Sequence, residues 1–195
     1  MKNIFDFVCA FIGLVILTPL LIIISIIIKI GSKGPILFKQ ERVGLKGQHF
    51  KILKFRSMFI DRPTLSSLIT IGDRDPRVTK VGFFIRKFKI DELPQLINVL
   101  KGEMSLVGPR PEVAKYVNLY TAEQRMVLEM KPGITDMASI KYRNESEILA
   151  LQQDPELYYA QIIMPDKINI NLKYANYTKT VFGSIRVIFE TLKSI

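Results

Sequence analysis

The sequence holds one cysteine, Cys9, and one histidine, His49. That count excludes a Cys/His zinc site, and a Ser-His-Asp triad would depend on His49 alone. One cysteine forms no internal disulfide, which fits a reducing compartment. No stretch reads G-x-x-x-x-G-K-[ST] or G-x-G-x-x-G, so two common ways of cradling nucleotide phosphates are missing. Repeats, low-complexity tracts and clear linkers are missing as well. Catalysis is left to carboxylates, arginines and a hard metal. Negative charge is also scarce. The 195 residues carry 28 Lys and Arg against 18 Asp and Glu, a formal charge of +10. Such an excess points to an anionic partner: nucleic acid, acidic lipid or a phosphorylated substrate.

One long apolar run is present, and no second. Phe7 to Ile28, "FVCAFIGLVILTPLLIIISIII", carries no charge. As a helix it would be ~33 Å long, enough for a hydrocarbon core of ~30 Å. It is too long for a signal peptide, and "KIGSKGP" after it offers no small-residue cleavage site. Pro19, after Thr18, sits near the midpoint and removes a backbone bond. Lys2 precedes the run, and Lys29 and Lys33 follow it, so charge does not choose a side. A spanning anchor and a bent helix returning to one side are both open at this point.

Lys33 to Met58 reads as an extended pair around the turn signal Gly44-Leu45-Lys46-Gly47. Asp61 to Thr79 reads as a polar loop, with Asp73, Asp75 and Pro76 near its end. Val81 to Ile90 mixes Phe83, Phe84, Phe88 and Ile90 with Arg86, Lys87 and Lys89, the pattern of a basic amphipathic surface helix. Leu93, Leu96, Ile97 and Leu100 then follow helical spacing, with Asp91 as N-cap, Pro94 in the first turn and Gly102 as the stop. "SLVGPRPE" reads as a loop because of its prolines. Thr121 to Glu129 reads as helix, ended before Pro132-Gly133. At the C-terminus Val181, Ile185, Ile188 and Leu192 share a face beside Lys179, Arg186 and Lys193, a second surface for a membrane.

Asp91 and Glu92 are adjacent acids inside the most basic part of the chain. A structural reading is available, since Asp is a preferred N-cap and acids suit the first turn. A chemical reading is available too. Helix N-termini bind phosphate, and Arg86 and Arg110 can give bidentate contacts. Two acids can divide the tasks of nucleophile and ligand to a hard cation such as Mg2+. The spacing does not say which does which.

"FKILKFRSM", "IRKFKIDELPQLINVLKGEMSLVGPRPE" and "KPGIT" resemble the monotopic phosphoglycosyl transferases, also called bacterial sugar transferases. The likeness covers almost the whole chain. It implies an α+β fold, mostly α, with a short β-hairpin and interfacial amphipathic helices. Residues 1–30 would form a membrane-embedded re-entrant helix, broken at Thr18-Pro19, and residues 31–195 a cytoplasmic catalytic domain. It implies transfer of a phosphosugar from a UDP-sugar to polyprenol phosphate with release of UMP, at the bacterial inner membrane. Asp91 would be the nucleophile and Glu92 a ligand to Mg2+. Arg86 would bind phosphate, and Pro109, Arg110 and Pro111 would help form the nucleotide site together with Arg143 further on. Membrane lipid is an implied partner, nucleic acid is not, and a homodimer is left open. "PGITDMASIKYRNE" departs from the family pattern at Asp136, Ser139, Lys141 and Tyr142, and Glu156 stands where an aspartate is common. These departures bear on the sugar and not on the phosphoryl chemistry, and a hexose 1-phosphate donor stands as the alternative to an N-acetylated one. A non-catalytic binder of anionic lipid or nucleic acid would explain the basic helices, but not Asp91-Glu92 beside Arg86.

Overall fold

In the computed structural model, which describes residues 1–60, 72 and 75–194, helix α1 runs from Lys2 to Gly31. Its sequence is apolar all round and shows no inward stripe of its own. The structure supplies one. Lys2, Asp6, Ala10, Leu14, Leu17, Leu21, Ile24 and Ile28, three or four apart, are buried or half-buried. Phe7, Phe11, Val15, Ile23 and Ile27 lie on the outer face and are exposed. The inner stripe is docked on the rest of the chain. Ala10, Leu14 and Leu17 pack with Ile52, Leu96, Val99 and Met104. Leu21, Ile24 and Ile28 pack with Phe55 and Ile85.

The break expected at Thr18-Pro19 is absent: the helix is continuous through Pro19. Packing on both sides of the proline, by Leu17 before and Leu21 after, carries the segment across the lost bond. The Thr18 hydroxyl donates to the Leu14 carbonyl at 2.7 Å. Both ends of α1 are tied down. At one end Ser105 Oγ donates to Asp6 at 2.7 Å, and Lys2 Nζ to the Val107 carbonyl at 2.9 Å. At the other, Arg56 donates to the carbonyls of Ile28, Ser32 and Lys33 at 3.1, 2.6 and 2.9 Å, satisfying groups that a helix end leaves unpaired. Thus the boundary expected near residue 30 separates two stretches that share their cores.

Strands β1 (Leu37–Val43) and β2 (His49–Phe55) form the expected antiparallel hairpin, with Lys46 left-handed in the turn. The polar stretch expected as a loop lies mostly outside the described residues, Asp73 included. Within its described end Asp75 pairs with Arg77 at 2.6 Å. Helix α2 (Lys80–Lys87) starts on Thr79, whose hydroxyl accepts from the Gly82 amide. Phe83, Phe84 and Phe88 are exposed, as the amphipathic pattern required.

The cap expected at Asp91 is not formed. Lys89 turns left-handed (φ 55°), and Ile90–Glu92 form a 3-10 turn that leads into helix α3 (Gln95–Leu100). Asp91 is therefore already inside the helical turns and does not stand in front of them. Gly102 (φ 77°) ends the run as expected. Asn98, fully buried, fastens α3 to the outer edge of β2: it accepts from Leu53 N–H at 3.0 Å and donates to the Lys51 carbonyl at 2.9 Å.

Part of the "SLVGPRPE" loop is strand. Ser105–Val107 (β3) pairs in parallel with Gly133–Thr135 (β4), Ser105 facing Gly133 and Val107 facing Thr135. The prolines lie just beyond β3 and do not interrupt it. Helix α4 (Ala114–Val117) follows. The helix expected over Thr121 to Glu129 is a 3-10 stretch, Gln124–Glu129, with only Val127 buried, too little apolar surface to hold longer regular helix.

Helices α5 (Met137–Lys141), α6 (Glu145–Ala150), α7 (Pro155–Tyr158) and α8 (Met164–Lys173) close over a core of Val117, Leu149, Tyr159 and Ile163. Helix α9 (Ala175–Thr178) leads to α10 (Val181–Ser194). The exposed apolar face of α10 is Phe182, Ile185, Phe189 and Leu192. Val181 and Ile188, expected on that face, are half-buried at its border because Ser184 and Val187 turn inward. The fold is mostly helical α+β, as the sequence indicated.

Candidate active site

Three segments far apart in sequence meet at Glu92. Lys54 of β2 donates to Glu92 Oε1 at 2.7 Å. Arg110 forks onto the same carboxylate, Nη2 to Oε1 at 2.6 Å and Nη1 to Oε2 at 3.3 Å. The side chains of Lys54 and Glu92 are 16% and 12% exposed, and that of Arg110 is 30% exposed. The cluster is thus sunk into the surface with Arg110 at its mouth.

The two acids are pushed apart. Burial alone would raise Glu92, but Arg110 and Lys54 outweigh it and hold the carboxyl well below its ordinary range. Asp91, 5% exposed, is raised by burial and by the charge of Glu92, against the pull of Lys54, Arg86 and Lys89. One acid is neutralised by two cations, and its neighbour keeps a more basic carboxylate. Such a split is how paired acids take different roles.

The Gly108–Glu112 loop presents Arg110 as a rigid arm. Gly108 N–H donates to the Thr135 carbonyl (3.0 Å), and the Pro109 carbonyl accepts from Gly133 N–H (3.0 Å). Arg110 N–H donates to Asp136 (2.8 Å), and the Glu112 carbonyl accepts from Val43 N–H (2.8 Å). The Pro111 carbonyl accepts from Arg42 (3.1 Å). Pro109 and Pro111 bring no N–H that would need a partner.

Sequence reasoning missed Lys54 and Asn98, and it took Asp136 as a departure bearing on the sugar when its contacts support the Arg110 loop. Asp136, 1% exposed, accepts from the amides of Arg110 and Ser139 and from Asn171 at 3.2 Å. Asp136→Ala should cost about 2–4 kcal/mol, because it removes an N-cap and leaves buried N–H groups unpaired. Urea unfolding measures this.

Arg86, on the last turn of α2, acts on Asp91 through charge. Arg143 is exposed, its guanidinium 3.5 Å from the Ser194 carbonyl. Pro109, Arg110 and Pro111 also wall a cavity of about 40 Å³ behind the loop, with Glu112, Tyr159 and Asn171 among its lining. Neither Asp91 nor Glu92 lines it.

Among the described residues no group of three acidic, histidine or cysteine side chains is arranged to hold a metal. Glu92, the expected ligand, has both oxygens engaged by cations. This donor set does not fit Mg2+ at Glu92.

A family model described as bacterial sugar transferase matches residues 1–195. The chain belongs to the bacterial sugar transferase family. Among its relatives is the undecaprenyl-phosphate glucose phosphotransferase of Komagataeibacter xylinus, 44% identical over 98% of this chain and 35% of that protein. The uncharacterized sugar transferase EpsL of Bacillus subtilis (strain 168) is 47% identical over 74% of this chain and 70% of its own length. The UDP-N-acetylgalactosamine-undecaprenyl-phosphate N-acetylgalactosaminephosphotransferase of Aeromonas hydrophila is 38% identical over 79% of this chain and 37% of that protein. The chain thus spans little more than a third of the first and third of these family members. Matches over 74% or more of this chain must span the stretch that carries Asp91, Glu92 and Arg110.

Proposed function

We propose that the chain moves a sugar 1-phosphate from a UDP-sugar to polyprenol phosphate and releases UMP. The observation that carries this reading is the pair of acids with opposite surroundings, one bound by Lys54 and Arg110 and the other buried and basic. An Asp91 oxygen attacks the phosphorus that bears the sugar. The bond from that phosphorus to the bridging oxygen breaks, and UMP leaves with the oxygen and its electrons. A polyprenol phosphate oxygen then attacks the aspartyl-linked phosphorus, and the Asp91 carboxylate is released. Lys54, Arg86 and Arg110 offset the charge of an anion attacking an anion.

The acceptor is a lipid, and the surroundings suit one. Exposed Phe84 and Phe88, with ring centroids 4.9 Å apart, lie just before Asp91 on the chain. The apolar outer face of α1 and that of α10 extend this character. With both ends of α1 bonded to the one domain, a monotopic arrangement is favoured over a span. In that arrangement α1 lies in the membrane by its outer face, and both its ends stay on the cytoplasmic side of the bacterial inner membrane.

The test is a covalent adduct. Full-length protein is incubated with labelled donor and no acceptor, using UDP-glucose and UDP-N-acetylgalactosamine first, after the sugars named in the relatives. The expected result is a burst of UMP matched by phosphosugar on Asp91. A burst without adduct, or an adduct on another residue, defeats this mechanism.

A further inference from the structure

Glu92 raises a conflict between what its position suggests and what it touches. It is the neighbour of the proposed nucleophile, where a metal-binding acid would be useful. Yet Oε1 accepts from Lys54 at 2.7 Å and from Arg110 at 2.6 Å, and Oε2 lies 3.3 Å from the other arm of the Arg110 fork. A magnesium ion binds oxygen at about 2.1 Å. On Glu92 it would sit within about 4 Å of two fixed positive charges, where like charges repel in a partly buried site.

The contacts make sense as positioning. Lys54 stands on a hairpin strand, and Arg110 on a loop tied to β4 and Asp136. Their charges repel, and among the described residues neither is shown bonded to another acid. Glu92 draws both tips onto one carboxylate. Lys has three N–H donors and Arg five, so Glu92 leaves about two unused on Lys54 and about three on Arg110. With Arg110 30% exposed, those spare donors can reach a ligand from outside.

We infer that Glu92 is a positioning residue that holds Lys54 and Arg110 together as one anion-binding pair for the donor's pyrophosphate, and that it is not a metal ligand. The inference rests on the function proposed above for the identity of the anion.

Three measurements on the full chain in nanodiscs test this. The first is thermal unfolding in EDTA. Glu92→Gln keeps the shape but leaves two cations without their counter-charge, so the midpoint should fall by about 5 °C or more. A metal-binding acid relieved of an empty, repulsive site would give an unchanged or higher midpoint, which overturns the inference. The second is Mn2+ titration by electron paramagnetic resonance with UDP present. Glu92→Gln should bind Mn2+ within about twofold of wild type, whereas loss of a ligand would weaken it by more than about tenfold. The third is UMP release. Glu92→Gln should lower kcat/KM by about a hundredfold or more, with no recovery at high magnesium. Recovery at high magnesium overturns the inference.

Lys54→Met provides a second variant if Glu92→Gln folds poorly. Its donor KM should rise while Mn2+ affinity stays level. Tighter Mn2+ binding in Lys54→Met would mean that the lysine had been masking a metal ligand, and the inference fails. If wild type releases no UMP from any donor, the proposed function fails instead. The unfolding and Mn2+ measurements need no turnover and decide the role of Glu92 on their own.

Discussion

Asp91→Asn should abolish turnover and make the protein more stable. On the proposed mechanism the chemical loss is that of a nucleophile, on the order of 10⁴-fold or more in kcat/KM. The gain in stability follows from the raised Asp91 carboxyl. Burial and Glu92 together disfavour its ionised form in the folded protein. A folded value above the unfolded one gives a contribution that is present below the unfolded range and lost as pH rises through the folded value. At neutral pH the wild type carries that cost, and asparagine does not. A gain of about 1 kcal/mol would raise the midpoint by about 2–4 °C. The gap between the two proteins should close in acid. The same displacement sets the acid limb of the pH profile. Because the attacking group must be ionised, kcat/KM should fall at a pH above the ordinary aspartate range of about 3.9. Equal unfolding midpoints at neutral pH, or an acid limb at the ordinary value, would contradict the assignment.

Gly133→Ala should disable the site from a distance. A Cβ at Gly133 would stand 2.1 Å from the Gly108 nitrogen and 2.6 Å from the Gly108 oxygen. Neither atom can move alone. Gly108 N–H is bonded to Thr135, and Gly133 N–H holds the Pro109 carbonyl at the base of the Arg110 arm. Strain relieved at this crossing must displace the loop. We expect a loss of about 3 kcal/mol or more in stability, with a rise in donor KM as Arg110 leaves Glu92. Thermal unfolding and donor titration measure the two effects. Gly102→Ala makes a useful contrast. A Cβ there meets nothing within 4 Å, and its positive φ should cost about 1 kcal/mol without touching the donor site.

Some of this was legible in the sequence. The hairpin is announced by its Gly-flanked turn, and α2 by its mixture of phenylalanine and basic residues. The adjacent acids stand out in a basic chain, and the motif around them is specific enough to name the family. The partners of those acids were hidden. Lys54 reaches Glu92 only because the β1–β2 register and the Asn98 brace bring β2 to α3, and neither can be read from 38 residues away. Strands of three residues, such as β3 and β4, carry too little pattern to detect, and their parallel pairing joins distant segments. Asp91 was misread as a cap because no sequence rule announces a lysine at φ 55°. The docked stripe of α1 was invisible for the opposite reason: where every position is apolar, periodicity has nothing to contrast.

That stripe has a practical side. Ala10 and Leu17 belong to the same core as Ile52 and Val99, and Ile24 to that of Phe55 and Ile85. A fragment starting after Gly31 would lose a wall of its interior, not a tether, and Arg56 would lose the Ile28 carbonyl and the helix end on which it anchors. Truncation is therefore the wrong route to a water-soluble form of this protein. The helix has to be repainted in place, with polar residues at Phe7, Phe11, Val15, Ile23 and Ile27 and every inward position kept.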